Sequence, residues 1–236
     1  MNAGSESQTD RPGPLFFLFG KIVPSALFAF LAVLQLDLFR NEVPAALAHF
    51  PEAASISFFF NRALSIGFAS AIAIVYIIRR PPLRGRHDVA AVAVAMYASF
   101  ILLGLRPLLE FMAVEMARFP GWSVILANVL IAIGAAFSIY SLLYLRLNFS
   151  ILPEARGLTT SGPYRIVRHP VYLGEIFGAV GLTIALPSLL SLLVLVTFIG
   201  AQLVRTRMEE QVLSGQLPGY AEYARQTPRL IPFIRG

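Results

Sequence analysis

The stretch GPYRIVRHPVYLGE, residues 162–175, sets two arginines, a histidine and a glutamate directly against a long apolar run. Gly157, Gly162 and Pro163 break helix around this stretch, and Pro170 suits the first turn of the helix that follows. Amides left free at that helix start favour an anionic group, and Arg165 and Arg168 add positive charge. His169 donates or accepts a hydrogen bond near neutral pH. A second polar stretch, LVRTRMEEQVL, follows the last apolar run. Continued as a helix, it puts Arg205 and Glu209 four residues apart on one face, with Arg207 and Glu210 three apart on a neighbouring one. On composition alone, the first cluster serves equally well as a helix anchor. The second serves as surface salt bridges, each worth well under ~1 kcal/mol. Acids at the mouth of a membrane bundle are unusual, however, and point to a cavity. Glu175 lies one turn into an apolar helix, where an unpaired carboxylate is costly. An ion pair with Arg168 or Arg205 is its first expected use, and contact with a cofactor its second.

The elements that must carry these residues are membrane spans. The chain is 57% hydrophobic and 14% charged over 236 residues, with a mean hydropathy of +0.71, values a soluble domain of this size does not reach. Its net charge of +6 sits in short arginine groups between apolar runs, which fits membrane topology and excludes a nucleic-acid face. Cysteine is absent, which removes disulfides, thiolate metal sites and cysteine nucleophiles, and three scattered histidines argue against a metal site. Four runs reach the roughly 20 residues a bilayer requires: 15–39, 56–78, 88–109 and 122–145. Two shorter runs, VYLGEIFGAVGLTIAL and SLLSLLVLVTFIGAQLV, flank Pro187 and read as a helical hairpin.

The expected fold is therefore all-α: a polytopic bundle of about six transmembrane helices, the last two a hairpin, plus a cytoplasmic C-terminal helix. Residues 1–14 read as a disordered polar tail without the basic start of a secretory signal. Residues 15–145 read as the N-terminal transmembrane helices, and 146–236 as the region holding the polar chemistry. Four arginines in RRPPLRGRHD place that loop in the cytoplasm, and with it both termini and the 146–171 loop. A bacterial inner membrane is the expected location. Arg62 and Asp37 are expected to snorkel at the outer interface, and Asn128 to hydrogen-bond between helices.

The pattern Gly-Pro-Tyr-x-x-x-Arg-His-Pro-x-Tyr-x-Gly, Gly162 to Gly174, resembles the isoprenylcysteine carboxyl methyltransferase family. So does Arg-x-x-x-Glu-Glu-x-x-Leu, Arg205 to Leu213, followed by Gly219-Tyr220-x-x-Tyr223 and RLIPFI. The phospholipid N-methyltransferases look similar over the same region, about 140–236. The resemblance implies a membrane enzyme that uses S-adenosylmethionine in a cytoplasm-facing pocket, with a lipophilic acceptor arriving from the bilayer. It implies that Arg168, His169, Tyr172 and Gly174 belong to the cofactor pocket. Pro170 would fix the helix start, whose amides meet the cofactor carboxylate. Glu209, or Glu210, would face the cofactor's positive end. Arg205 would hold Glu209 and orient an anionic acceptor such as a carboxylate. Tyr164 is either packing or an aromatic wall, and Tyr220 and Tyr223 either cap the pocket or sit at the membrane interface. An amine or thiol acceptor must lose a proton, which would make Glu175 or Glu209 a base. A sterol-reductase-like enzyme using NADPH also carries an Arg-His-x-x-Tyr-x-Gly stretch and is the second enzymatic reading. A transporter or sensor is the non-enzymatic one. The acceptor itself is not identified by any residue, and oligomeric state is left open.

Overall fold

The structure is a computed structural model that describes residues 18–48, 53–85, 88–115, 117 and 121–233. After a wide helical turn at Leu18–Ile22 come α1 (Val23–Ala48), α2 (Ala53–Ile78), α3 (Val89–Phe111) and α4 (Gly121–Leu145). The hairpin follows as α5 (Pro170–Ala185) and α6 (Leu189–Gln216), and α7 (Tyr220–Gln226) closes the chain. Among the described residues, five helices, α1 to α4 and α6, are long and apolar enough to cross a membrane, while α5 is apolar but shorter. The chain is thus a polytopic helical bundle. Among the described residues, the one extended pairing is a two-residue antiparallel bridge between β1 (Arg84–Gly85) and β2 (Glu154–Ala155). The expected tail at 1–14 lies outside the described residues.

Two expectations change. The first span was expected to stop at 39, yet α1 continues through Arg40 to Ala48. Bilayer thickness limits the apolar stretch, and a helix can carry its polar residues beyond it. Here Asn41 donates to Asp37 one turn back, and Glu42 pairs with Arg62 of α2 at 2.6 Å. Arg62 also donates to Gln35 at 2.8 Å, so it is bound between α1 and α2 where snorkelling to the outer interface was expected. Asn61 and Asn128 hydrogen-bond to each other across α2 and α4, as expected for Asn128. The second change concerns α6, which was expected to span only marginally. It runs unbroken for 28 residues, about 42 Å, and carries the Arg205–Glu210 group as its inner end. Ser188 caps it, accepting from the Ser191 amide at 3.1 Å, and Pro187 lies in the turn.

The helices that position the site are α4 and α5, which pack very closely. Gly174 is buried against α4, where a Cβ would meet Ser138 Oγ and the Gly134 carbonyl. Ser138 donates to the Val171 carbonyl at 3.1 Å across the same contact. Such small-residue faces let helix backbones approach in a membrane. Gly174 is therefore a helix-packing residue, a correction to its expected place in the cofactor wall. Gly174→Val should lower the stability of the detergent-solubilised protein by roughly 1–3 kcal/mol, read as a fall in Tm. Gly178→Ala, with open space at its Cβ position, should change Tm little.

Candidate active site

The loop before α5 is shaped by Gly162, whose φ of +60° is in the left-handed region and whose Cβ would strike the Tyr144 ring. A helical turn at Gly162–Arg165 buries Pro163 and Tyr164, His169 caps α5, and Pro170 opens it. The Arg168 amide donates to the Pro228 carbonyl at 2.8 Å, and the His169 amide to that of Arg229 at 3.1 Å. The C-terminal tail thus takes the amides of residues 168 and 169, immediately before the helix start.

Side chains reinforce that clamp. Arg168 donates to Glu210 at 2.8 Å, to the Thr227 carbonyl at 2.8 Å and to the Ala224 carbonyl. Glu210 also accepts from Arg229 at 2.6 Å. His169 Nε2 lies 3.1 Å from the same Glu210. Glu210 was expected to pair along its helix with Arg207, or to face the cofactor. It instead holds the tail, because the tail arginine and Arg168 both converge on it, and Arg207 is left exposed. Arg229 is held charged above its ordinary range by the hydrogen bond to Glu210. Removing one partner from a buried charge network costs ~3–5 kcal/mol. Glu210→Gln should therefore lower Tm and open the tail to trypsin at Arg225 and Arg229, both measurable on purified protein.

Tyr172, one turn into α5, is the centre of the arrangement. Its hydroxyl donates to Glu209, and its ring stacks parallel to His169 with centroids 5.6 Å apart. The Arg205 guanidinium lies over the same ring, 4.5 Å from its centroid, in cation–π contact. His169 Nδ1 is 3.6 Å from Glu209. Arg205 does not hold Glu209 directly, as had been expected. It donates to the Ile151 carbonyl at 3.1 Å and to Gln202 at 3.3 Å, and its Nε has no hydrogen-bond partner although the residue is 4% exposed. Glu175 likewise departs from the expected arginine pair. Gln202 donates to it at 2.5 Å and links it to Arg205 through the amide.

Two cavities meet at Tyr172, Val171 and Phe149. One, of about 760 Å³, is bounded by the 148–159 loop, Tyr164, His169, Glu209, Tyr220 and Tyr223. The other, of about 910 Å³, runs among α1, α2, α3, α5 and α6, lined by Phe28, Phe68, Leu102 and Phe198 with Glu175 and Arg205 at its polar end. Arg205 and Glu209, one helical turn apart, thus border different cavities. Among the remaining expected cofactor residues, Arg168 borders the first cavity while Pro170, Gly174 and Glu210 border neither. Burial pushes the hydroxyls of Tyr164, Tyr220 and Tyr223 up from their ordinary pKa, so all three stay protonated donors. Tyr223 donates to the Tyr164 carbonyl at 2.7 Å. The Tyr220 hydroxyl, in a residue only 3% exposed, has no partner.

Residues 122–217 match the phospholipid methyltransferase family. Protein-S-isoprenylcysteine O-methyltransferase A of Arabidopsis thaliana is 25% identical over 164 residues, 64% of this chain and 83% of the plant protein. These two matches support a likeness of this region to the membrane methyltransferases of the isoprenylcysteine and phospholipid type. The superfamily match begins at the start of α4, upstream of the motifs, which accords with α4 being the surface that receives α5. Higher identity over shorter stretches is found elsewhere. A cobalt-zinc-cadmium resistance protein of Cupriavidus metallidurans is 40% identical over 76 residues, 32% of this chain and 35% of that protein. A nickel-cobalt-cadmium resistance protein of Alcaligenes xylosoxydans xylosoxydans is 36% identical over 80 residues, 34% and 38% of the two chains. The matches thus span little more than a third of the length of those two relatives.

Sequence reasoning missed several contributors to this site. Gln202 is fully buried and was read as part of an apolar run, although its place three residues before Arg205 was a usable signal. Arg79 and Arg156 were counted as loop charges. Both are buried and converge on Glu154, at 3.6 and 2.5 Å, and Glu154 borders the first cavity. No local pattern links Arg79 to a glutamate so far along the chain, whereas Arg156 lies two residues from it. Asn148 and Thr159, bonded at 3.0 Å, line the same wall.

Proposed function

We propose that this chain is an S-adenosylmethionine-dependent methyltransferase that modifies a lipophilic acceptor through an anionic oxygen, most simply a carboxylate of the isoprenylcysteine type. The observation that carries this reading is the division at Tyr172, with the half-buried Glu209 carboxylate facing one cavity and the buried Arg205 facing the other.

The first cavity fits the cofactor. Glu209 offers a carboxylate to its positive amino or sulfonium end, and Tyr164, Tyr172 and Tyr223 offer aromatic faces. The unpartnered Tyr220 hydroxyl offers a donor for a carboxylate or ribose oxygen. When bound, the cofactor supplies an electrophilic methyl group on a sulfonium. This chain's part is alignment and exclusion of water. Arg205 is placed to hold an acceptor anion through its free Nε. Tyr172 contacts both Arg205 and Glu209, which fixes the register between the two ligands. The Gln202–Glu175 pair sets the orientation of Arg205 from behind. A carboxylate nucleophile needs no base, so the absence of an unengaged base near Arg205 is no obstacle.

The motif loop and both termini are placed in the cytoplasm of a bacterial inner membrane, following the arginine bias of the loops. Glu175 on the acceptor side favours one second reading, an amine-bearing phospholipid acceptor, with the carboxylate attracting the amine. An acceptor panel in proteoliposomes, with methyl-labelled S-adenosylmethionine, separates them. Label on a prenylated cysteine carboxylate supports the proposal. Label only on phosphatidylethanolamine or on a small thiol replaces it with another acceptor class.

A further inference from the structure

A third concavity, a groove of about 1050 Å³ between α6, α7 and the tail, is used by neither ligand of the proposed reaction. Arg207, Arg225 and Arg229 form its rim, and Arg168 and Tyr220 its floor. We propose that this groove binds the phosphate of an anionic phospholipid in the leaflet next to the cofactor cavity.

Three observations carry the proposal. Arg207 is exposed and has no ion pair among the described residues, so its guanidinium is available to a phosphate fork. Its helix face is the lipid-facing one: Leu193, Val196 and Leu203 are exposed apolar residues on α6, and Arg207, Gln211 and Ser214 continue that face at three- and four-residue steps into the groove wall. The groove therefore begins where the apolar strip of α6 ends, which is headgroup level. The tail gives the same level independently. Just beyond Arg229, Ile231 and Phe233 are 58% and 98% exposed, although the tail backbone is pinned to residues 168 and 169. Exposed apolar side chains beside arginines are the pattern of an interfacial anchor.

A soluble phosphate would gain nothing from the apolar margin, whereas a phospholipid places its chains against α6 and the tail and its phosphate among the arginines. The only acid in the groove lining, Glu210, is already engaged by Arg168 and Arg229. Arg225 is held only by an exposed pair with Glu222, which is weak enough to yield to a phosphate. The bound lipid would join α6 to α7, and α7 supplies Tyr220 and Tyr223 to the cofactor cavity. The lipid site does not depend on which methyl acceptor is used.

The test is native mass spectrometry of the full-length protein in detergent, titrated with phosphatidylglycerol or phosphatidylcholine. Wild type should retain phosphatidylglycerol in preference to phosphatidylcholine, and millimolar inorganic phosphate should not displace it. Each lost arginine should weaken binding about fivefold, so Arg207→Gln with Arg225→Gln should weaken it roughly thirtyfold. Arg207→Lys with Arg225→Lys, which keeps the charge, should retain most of it. Equal retention of the two lipids, or unchanged phosphatidylglycerol binding in the glutamine pair, would overturn the proposal. Displacement by inorganic phosphate would assign the groove to a soluble anion and overturn the lipid. Equal loss in the lysine and glutamine pairs would reduce the arginines to a structural role.

Discussion

Glu209→Gln should weaken S-adenosylmethionine binding about 10- to 100-fold while leaving the bundle folded. The substitution keeps shape and one acceptor for the Tyr172 hydroxyl, and removes only the charge that faces the first cavity. A hydrogen bond to a charged group is worth ~1.5–3 kcal/mol, which sets that range. The fold should survive because the tail clamp runs through Glu210, with Arg168 and Arg229, and not through Glu209. Calorimetric titration of both proteins, with Tm measured alongside, gives the answer. Unchanged affinity in the variant would remove Glu209 from the cofactor site.

Arg205→Lys should do the opposite: cofactor affinity within a few-fold of wild type, and turnover reduced by 100-fold or more. Lysine keeps the positive charge but loses the planar fork. It cannot donate to the Ile151 carbonyl and Gln202 while also presenting a third donor at the Nε position to an acceptor. A misplaced reactive group of about 1 Å costs on the order of 100-fold. The contrast between the two variants matters more than either value. Glu209 and Arg205 are one turn apart, so a merely structural role for the α6 end would make both variants fail in the same way. Separate failures, binding in one and turnover in the other, follow only if Tyr172 divides two ligands. Parallel loss of cofactor affinity in both would contradict that division.

The transmembrane plan was legible in the sequence because apolar length is a one-dimensional property. Helices α2, α3 and α4 begin and end within a few residues of the runs that predict them, and Pro187 marks the hairpin. Where α1 ends was not legible, since Asn41 and Glu42 read as a loop beyond a span expected to stop at 39. Their partners, Asp37 for Asn41 and Arg62 for Glu42, are what let the helix continue. At the site, the motifs singled out the residues that gather around Tyr172, but pairing was read by proximity along α6. Arg205 with Glu209 and Arg207 with Glu210 are the natural helix pairs, each worth a few tenths of a kcal/mol. Contacts brought in by the tail and by α5 are stronger and redirect them. Glu210 turns to Arg168 and Arg229, and Arg205 to Tyr172 and Gln202. Gly174 shows the same limit. A motif glycine suggests close approach of something, and here it is the neighbouring helix α4.

The most direct test of the central claim is calorimetric titration of the detergent-purified protein with S-adenosylmethionine and S-adenosylhomocysteine, with NADPH run in parallel. Micromolar binding of both adenosyl ligands and none of NADPH is the predicted result. Binding of NADPH without either adenosyl ligand would assign the Tyr172 site to a reductase, and silence for all three would contradict an enzyme of either kind.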